Sequence, residues 1–205
     1  CALPILTETM KLLEENLQNS DPEKIIPPES YVAVPAIQAI SYSMDSDDLR
    51  KLYATLLTKS IYADTKNLVH PAYVEVIKNL SPLDCQIFDE IMSSPNQEIG
   101  CYEMRVGHLG ESSYYVAFPY VTKITIATSQ VIAASIDNLT RNNLISPKDF
   151  HYDDDNIYLP IRETPLYKAI EQGCSSQQTE LRPYKMSIKS TSFGKLFYNV
   201  CCTPL

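Results

Sequence analysis

The sequence predicts a mainly α protein of the α+β class, with a helical bundle over residues 1–95 and a winged-helix-like module carrying an insertion over residues 96–205. Three observations carry that expectation. Between residues 35 and 93, apolar residues recur every three or four positions, and Pro, Ser and Asp stand where helices begin. The stretch SSPNQEIGCYEMRVGHLGESSYYVAF, residues 93–118, then brings three of the five glycines among β-leaning Tyr and Val. From residue 129 onward a helical pattern, an extended stretch, an alternating strand and a closing helix follow in the order of a winged helix.

At the N-terminus, Leu6, Met10, Leu13 and Leu17 fall on one helical face, and that helix stops before NSDPEKIIPPES, a Pro-rich linker. In VPAIQAISYS, Pro35 reads as a helix start, because proline has a helical φ and its missing N–H is not needed in the first turn. In MDSDDLRKLYATLLTKSIYAD, Ser46 is placed to cap, and Asp47 and Asp48 suit the positive helix end. Leu49, Leu52, Tyr53, Leu56, Leu57 and Ile61 then form one stripe. The stretch LVHPAYVEVIKNLSPLDCQIFDEI holds two further starts, Pro71 and Pro82, with Ser81 and Asp84 at capping-box spacing. Val74, Ile77 and Leu80, then Leu83, Ile87 and Ile91, give these two helices a buried stripe each, so the stretch is a helical corner.

Residues 93–118 read as short strands or irregular loops. TSQVIAASIDNLTRNNLI is helical again, with Ser129 as its cap, and Asn142 or Asn143 suits the left-handed conformation that ends a helix. DFHYDDDNIYLPI reads as an extended stretch around an acidic turn. A short helix after Pro165, a polar loop EQGCSSQQTELRP, the alternating YKMSIKS and a helix from Thr191 or Ser192 complete the chain.

A net charge of -8 argues against a general nucleic-acid binder, which carries a basic footprint. The charge is uneven: residues 1–100 hold 7 Lys/Arg and 15 Asp/Glu, whereas residues 101–205 hold 10 of each. An anion-binding surface therefore belongs in the second half. There, Arg182, Lys185, Lys189 and Lys195 stand against Glu180 among aromatic residues, with Arg141 at the end of the expected recognition helix, and these five are the candidate nucleic-acid contacts. An ordinary solvated face explains the same residues. No run reaches the roughly 18 apolar residues that span a bilayer, and the N-terminus lacks the layout of a signal peptide, so a cytoplasmic location is expected. The chain opens on Cys1 rather than Met, as a fragment or processed product does.

Six cysteines, at 1, 85, 101, 174, 201 and 202, show neither a C-x-x-C pair nor zinc spacing and read as buried free thiols. His70 before Pro71 is expected to cap its turn, with a Cys85–His70 nucleophile pair as the sharper alternative. His151 with Asp153, Asp154 and Asp155 offers metal ligands but lacks the Gly and final Glu of a calcium loop, so a hairpin turn is expected. No phosphate-loop, esterase or zinc-peptidase motif occurs. The expectation is a protein with no catalytic residue, metal or cofactor.

Several linked motifs stand in one order over residues 25–88. They are Pro27 and Pro28, Pro35, the acidic turn Asp45 to Asp48, Leu49 and Arg50, Leu56 and Leu57, His70 to Val74, and Leu80 to Pro82. In this the chain resembles the bacterial abortive-infection alpha family, a domain family of unknown function. The second half is similar through IDNLTRNNLI and TSFGKLFYNVC, with Asn143, Leu144 and Ile145 where family members more often carry Gly-Leu-Ile. The resemblance covers about residues 20–202 and implies a role in bacterial defence against phage. It brings no catalytic residue, cofactor or agreed mechanism. The function expected is a non-enzymatic phage-defence protein that binds a protein or its own copies, with a DNA-binding winged helix and an unrecognised hydrolase as alternatives.

Overall fold

The computed structural model describes residues 3–18, 20–40, 46–110, 112–150, 152–176 and 179–205, with residues 3–6 and 176 described by their backbone alone. Cys1, Asp45 of the acidic turn and the metal-ligand candidate His151 lie outside the described residues. The chain is a mixed α+β protein whose contacts divide it into two units, residues 1–85 with 192–205 and residues 86–191.

The first unit is helical. It contains α1 (Leu3–Leu17), α2 (Ser30–Ile40), α3 (Asp47–Ser60), α4 (Ala72–Asn79), the start of α5 (Pro82–Met92) and, from Ser192, an α-helix to Phe197 continued by a π-helix over Tyr198–Cys202. Ser46 caps α3 by accepting a hydrogen bond from the Leu49 N–H at 3.3 Å. The reciprocal capping box at α5 is complete: the Asp84 N–H donates to Ser81 Oγ at 3.2 Å, and the Ser81 N–H donates to Asp84 Oδ2 at 2.7 Å. The α3 stripe supplies Leu52, Tyr53, Leu56 and Leu57 to the core, where the Tyr73 ring lies 5.4 Å from Phe193 and 5.5 Å from Phe197.

Two details of this unit correct the sequence reading. Helix α2 begins at Ser30, with the Val32 and Ala33 N–H groups both donating to the Glu29 carbonyl, so Pro35 lies inside the helix rather than at its start. The helix tolerates it by giving up one N–H. Met10 is 44% exposed, because the inward face of α1 runs through Thr9, Leu13 and Asn16, and Asn16 Nδ2 reaches Thr58 Oγ1 at 3.4 Å.

The second unit is built on a four-stranded antiparallel sheet in the order β2-β1-β4-β3, with β1 Glu98–His108, β2 Tyr115–Val121, β3 Ile145–Lys148 and β4 Thr179–Ser190. Where short strands or irregular loops were expected, β1 is thus one strand of eleven residues, followed by the start of β2. Helix α6 (Ser129–Arg141) contacts the outer strands β2 and β3. It ends as expected in a left-handed Asn143, φ 57°, with the Leu144 N–H donating to the Leu139 carbonyl. Its N-cap is Thr128, one residue before the expected Ser129.

Alternation along β1 sends Tyr102 and Met104 to one face of the sheet and Cys101, Glu103 and Arg105 to the other. On the first face Tyr102, Met104 and Val121 form a core with Tyr158, Ile161 and Tyr167, which come from a 3-10 turn, from α7 (Leu159–Arg162) and from α8 (Pro165–Ser176). The extended stretch expected over residues 149–161 is therefore a compact connection: Asp154 caps the turn, and Tyr158 anchors it. EQGCSS, expected in a loop, completes α8. A Cβ at Gly100 would lie 2.8 Å from Ile157 Cγ2, so glycine lets this connection lie flat on β1. The final helix, α9 (Ser192–Phe197), starts where the sequence placed it.

Candidate interaction surface

One corner of the second face of the sheet combines charge, aromatic rings and fixed geometry. In the β1–β4 register, Arg105 stands directly opposite Arg182, Glu103 opposite Tyr184, and Gly107 opposite Glu180. Two like charges directly across a sheet repel, and each is offset by the glutamate two residues away on its own strand. Arg105 Nε donates to Glu103 Oε1 at 2.5 Å, and Arg182 Nη2 donates to Glu180 Oε2 at 2.7 Å. The Arg105 guanidinium lies 3.8 Å from the Tyr184 ring centroid and 5.0 Å from that of Tyr114, to whose hydroxyl Nη1 donates at 3.3 Å. Tyr184 in turn donates its hydroxyl to the Asp149 carboxylate.

The strand–turn geometry brings Tyr114 to this place. A Cβ at Gly107 would lie 2.5 Å from the Ser113 carbonyl oxygen, so only glycine lets the chain before β2 close against β1. The result is a planar cation clamped by two tyrosines and a carboxylate, with its side-chain entropy already lost before any partner arrives. Beside it runs β2, an edge strand. Tyr114, Tyr115 and Val116 are 48%, 65% and 46% exposed, and Leu109 in the preceding turn is exposed as well. Residues 112–122 carry no charge at all.

Of the five cations singled out in the sequence, Arg182 alone belongs to this corner. Lys185 and Lys189 lie at the alternate positions of β4, and each has an acidic partner: Lys185 Nζ donates to Asp155 Oδ1 at 2.5 Å, and Lys189 Nζ is 3.4 Å from Glu98 Oε2. Arg141 Nη2 donates to Asn138 Oδ1 on its own helix, and Lys195 belongs to the first unit. Sequence reasoning missed Arg105. The signal available was the alternation Glu103, Arg105, Gly107 in one strand, visible only once residues 98–108 are read as a single strand.

Several titratable groups elsewhere are committed to structure. His70 Nδ1 accepts the Ala72 N–H at 3.1 Å, the capping role expected of it. Burial pushes the Cys85 thiol up to about 12, with Asp48 and Asp84 adding to the shift, and burial pushes Cys101 up to about 12. Neither supplies a thiolate near neutral pH. Burial alone would raise the Glu98 carboxyl, but Ser187 and Tyr152 aimed at it, and Lys189 beside it, hold it below the usual range. Ser187 Oγ is fully buried and meets no partner at full hydrogen-bond geometry among the described residues, so this approach to Glu98 is a loose one. Among the described residues no group of three or more His, Cys, Asp and Glu side chains is placed to hold a metal ion.

Fold and surface define an α+β protein whose second unit presents a charge-balanced, Arg- and Tyr-bearing sheet corner beside an uncharged edge strand. The family model described as Abortive infection alpha matches residues 4–201, nearly the whole chain, and the protein belongs to that family. Neither the curated proteins nor the solved structures contain a match to it. Among the described residues no helix is long and apolar enough to cross a membrane.

Proposed function

We propose that this is a cytoplasmic phage-defence protein of the abortive-infection kind that acts by binding protein, its own copies included, and not by catalysis. Family membership supports the defence role. The observation that supports protein binding is the Arg105 corner: Arg and Tyr are the side chains over-represented at protein interfaces, and here Arg105 and Tyr184 are half-buried and held in place beside the exposed Tyr114, with each arginine matched by a glutamate. Arg105, Arg182, Lys185 and Lys189 each stand against a carboxylate, which weakens the positive field that phosphate binding needs. The first unit, in this reading, is a helical bundle.

The test is phage plaquing on a bacterial host expressing the chain, compared with empty vector, together with survival of infected cells. Reduced plaquing with early host death is the expected result. Unchanged plaquing across a diverse phage panel overturns the defence reading.

A second reading is favoured by one feature. Helix α6 leads through β3 into an antiparallel pairing with β4, Ile145 opposite Ser190, and this order supports a reading of α6 as recognition helix and β3–β4 as an interrupted wing. In that reading α6 with Arg141 approaches DNA. Fluorescence anisotropy with labelled duplex DNA, repeated with Arg141→Ala, tests it: binding lost in the variant supports it, and binding unaffected by the change rejects it.

A further inference from the structure

The chain has five arginines, and Arg162 differs from the other four. Arg50 meets Glu8 and Asp47, Arg105 meets Glu103, Arg182 meets Glu180, and Arg141 bonds Asn138 of its own helix. Arg162, half-buried at the end of α7, donates from Nε at 2.9 Å to the hydroxyl of Tyr102, which is fully buried. Its guanidinium stands against no carboxylate at ion-pair distance, and Nη1 and Nη2 donate to no acceptor among the described residues. An arginine on a free stem turns its N–H groups to bulk water. This one is held by a buried phenol, so its remaining N–H groups must find acceptors where they stand, and the side-chain entropy of holding them there is already lost.

Lys185 brings a second cation to the same face of the sheet. It stands across from Tyr102 in the β1–β4 register, and its Nζ lies 5.1 Å from the Tyr158 ring centroid, while the Arg162 Cζ lies 5.8 Å from that of Tyr102. The two rings are 5.3 Å apart, so adjoining buried tyrosines carry one cation each. Asp155 lies 2.5 Å from Lys185 Nζ and acts on Arg162 only through space. Two cations and one paired carboxylate leave one positive charge in excess. We infer that Arg162 and Lys185 form a binding site for the carboxylate group of a small-molecule ligand. The guanidinium fork matches the two oxygens of a carboxylate, and the ammonium supplies a second point charge. One negative charge balances the excess, whereas a phosphate dianion would leave a surplus beside Asp155. The site lies on the sheet face opposite the Arg105 corner, so it stands or falls independently of the protein-binding reading.

Titration of the nitrogen-15-labelled full chain with sodium acetate at constant ionic strength, followed by NMR at the arginine Nε–Hε signals, tests this. The Arg162 signal is expected to shift and saturate, with a dissociation constant on the order of 10 mM or tighter, a modest demand on so small a ligand. Arg141, the other arginine without a carboxylate partner, is the control and is expected not to move. Lys185→Gln leaves the Arg162–Tyr102 bond in place and is expected to weaken acetate binding severalfold, with circular dichroism checking the fold. The proposal is overturned by the lack of a saturable shift, by equal shifts at Arg162 and Arg141, which mean an adventitious ion only, or by acetate binding unchanged in Lys185→Gln. Inorganic phosphate bound in preference to acetate overturns it as well. Plaquing of the wild type judges the defence reading separately.

Discussion

Replacing Tyr158 with Phe removes one oxygen from the middle of the second unit and leaves the ring in place. Tyr158 is fully buried, and its hydroxyl joins two segments: it accepts from the Tyr152 N–H at 3.2 Å and donates to the Met186 carbonyl of β4 at 3.2 Å. The ring stays 5.3 Å from Tyr102, so packing is retained. What is lost is two buried hydrogen bonds, each worth about 1 kcal/mol net, and up to about 3 kcal/mol where a partner is left unsatisfied. The expected cost is therefore roughly 2 kcal/mol. Urea unfolding should show a lower midpoint at unchanged slope, and amide exchange should accelerate at Tyr152, whose N–H loses its acceptor. A midpoint shift corresponding to less than about 0.5 kcal/mol, with Tyr152 still protected, would refute the claim that this hydroxyl ties the insertion to the sheet.

Three further outcomes follow from the same structure. Gly100→Ala places a methyl 2.8 Å from Ile157 Cγ2 and 3.2 Å from Tyr158 Cε1, so it should cost about 1–3 kcal/mol in thermal or urea unfolding, as overpacking does. Asp84→Ala breaks the reciprocal cap of α5 and should cost about 1 kcal/mol by the same assays, whereas Asp84→Asn, which keeps an acceptor, should cost less. Glu98 has a folded-state pKa below its ordinary value of 4.5, so its contribution is present above that value and is lost as pH falls through the folded pKa. Wild type should therefore lose stability on acidification below about pH 4.5 more steeply than Glu98→Gln, and parallel curves would contradict the assignment.

The helices were legible in the sequence because their signals are local. Ser46, the Ser81–Asp84 box, Pro82 and the left-handed Asn143 act within a few residues of themselves, and each stands in the structure in the role its chemistry predicts. Pro35 was misread because the same residue fits the first turn and, at the cost of one hydrogen bond, a later one. The acidic stretch 149–161 was misread because its conformation depends on a distant glycine: without Gly100 on β1 there is no room for Ile157 and Tyr158. The interaction corner was half legible. Arg182 stood out as a cation near aromatic residues, but its meaning comes from the β1–β4 register, which sets Arg105 opposite it and Tyr184 under Arg105. Sequence spacing alone does not give a cross-strand register.

If the proposed phage-defence role runs through the Arg105 corner, plaquing efficiency on hosts expressing the wild type or Arg105→Ala at matched levels reads it out. The wild type is expected to lower plaquing with early death of infected cells, and Arg105→Ala, folded by circular dichroism, is expected to restore plaquing to the empty-vector level. Full protection by Arg105→Ala would contradict it.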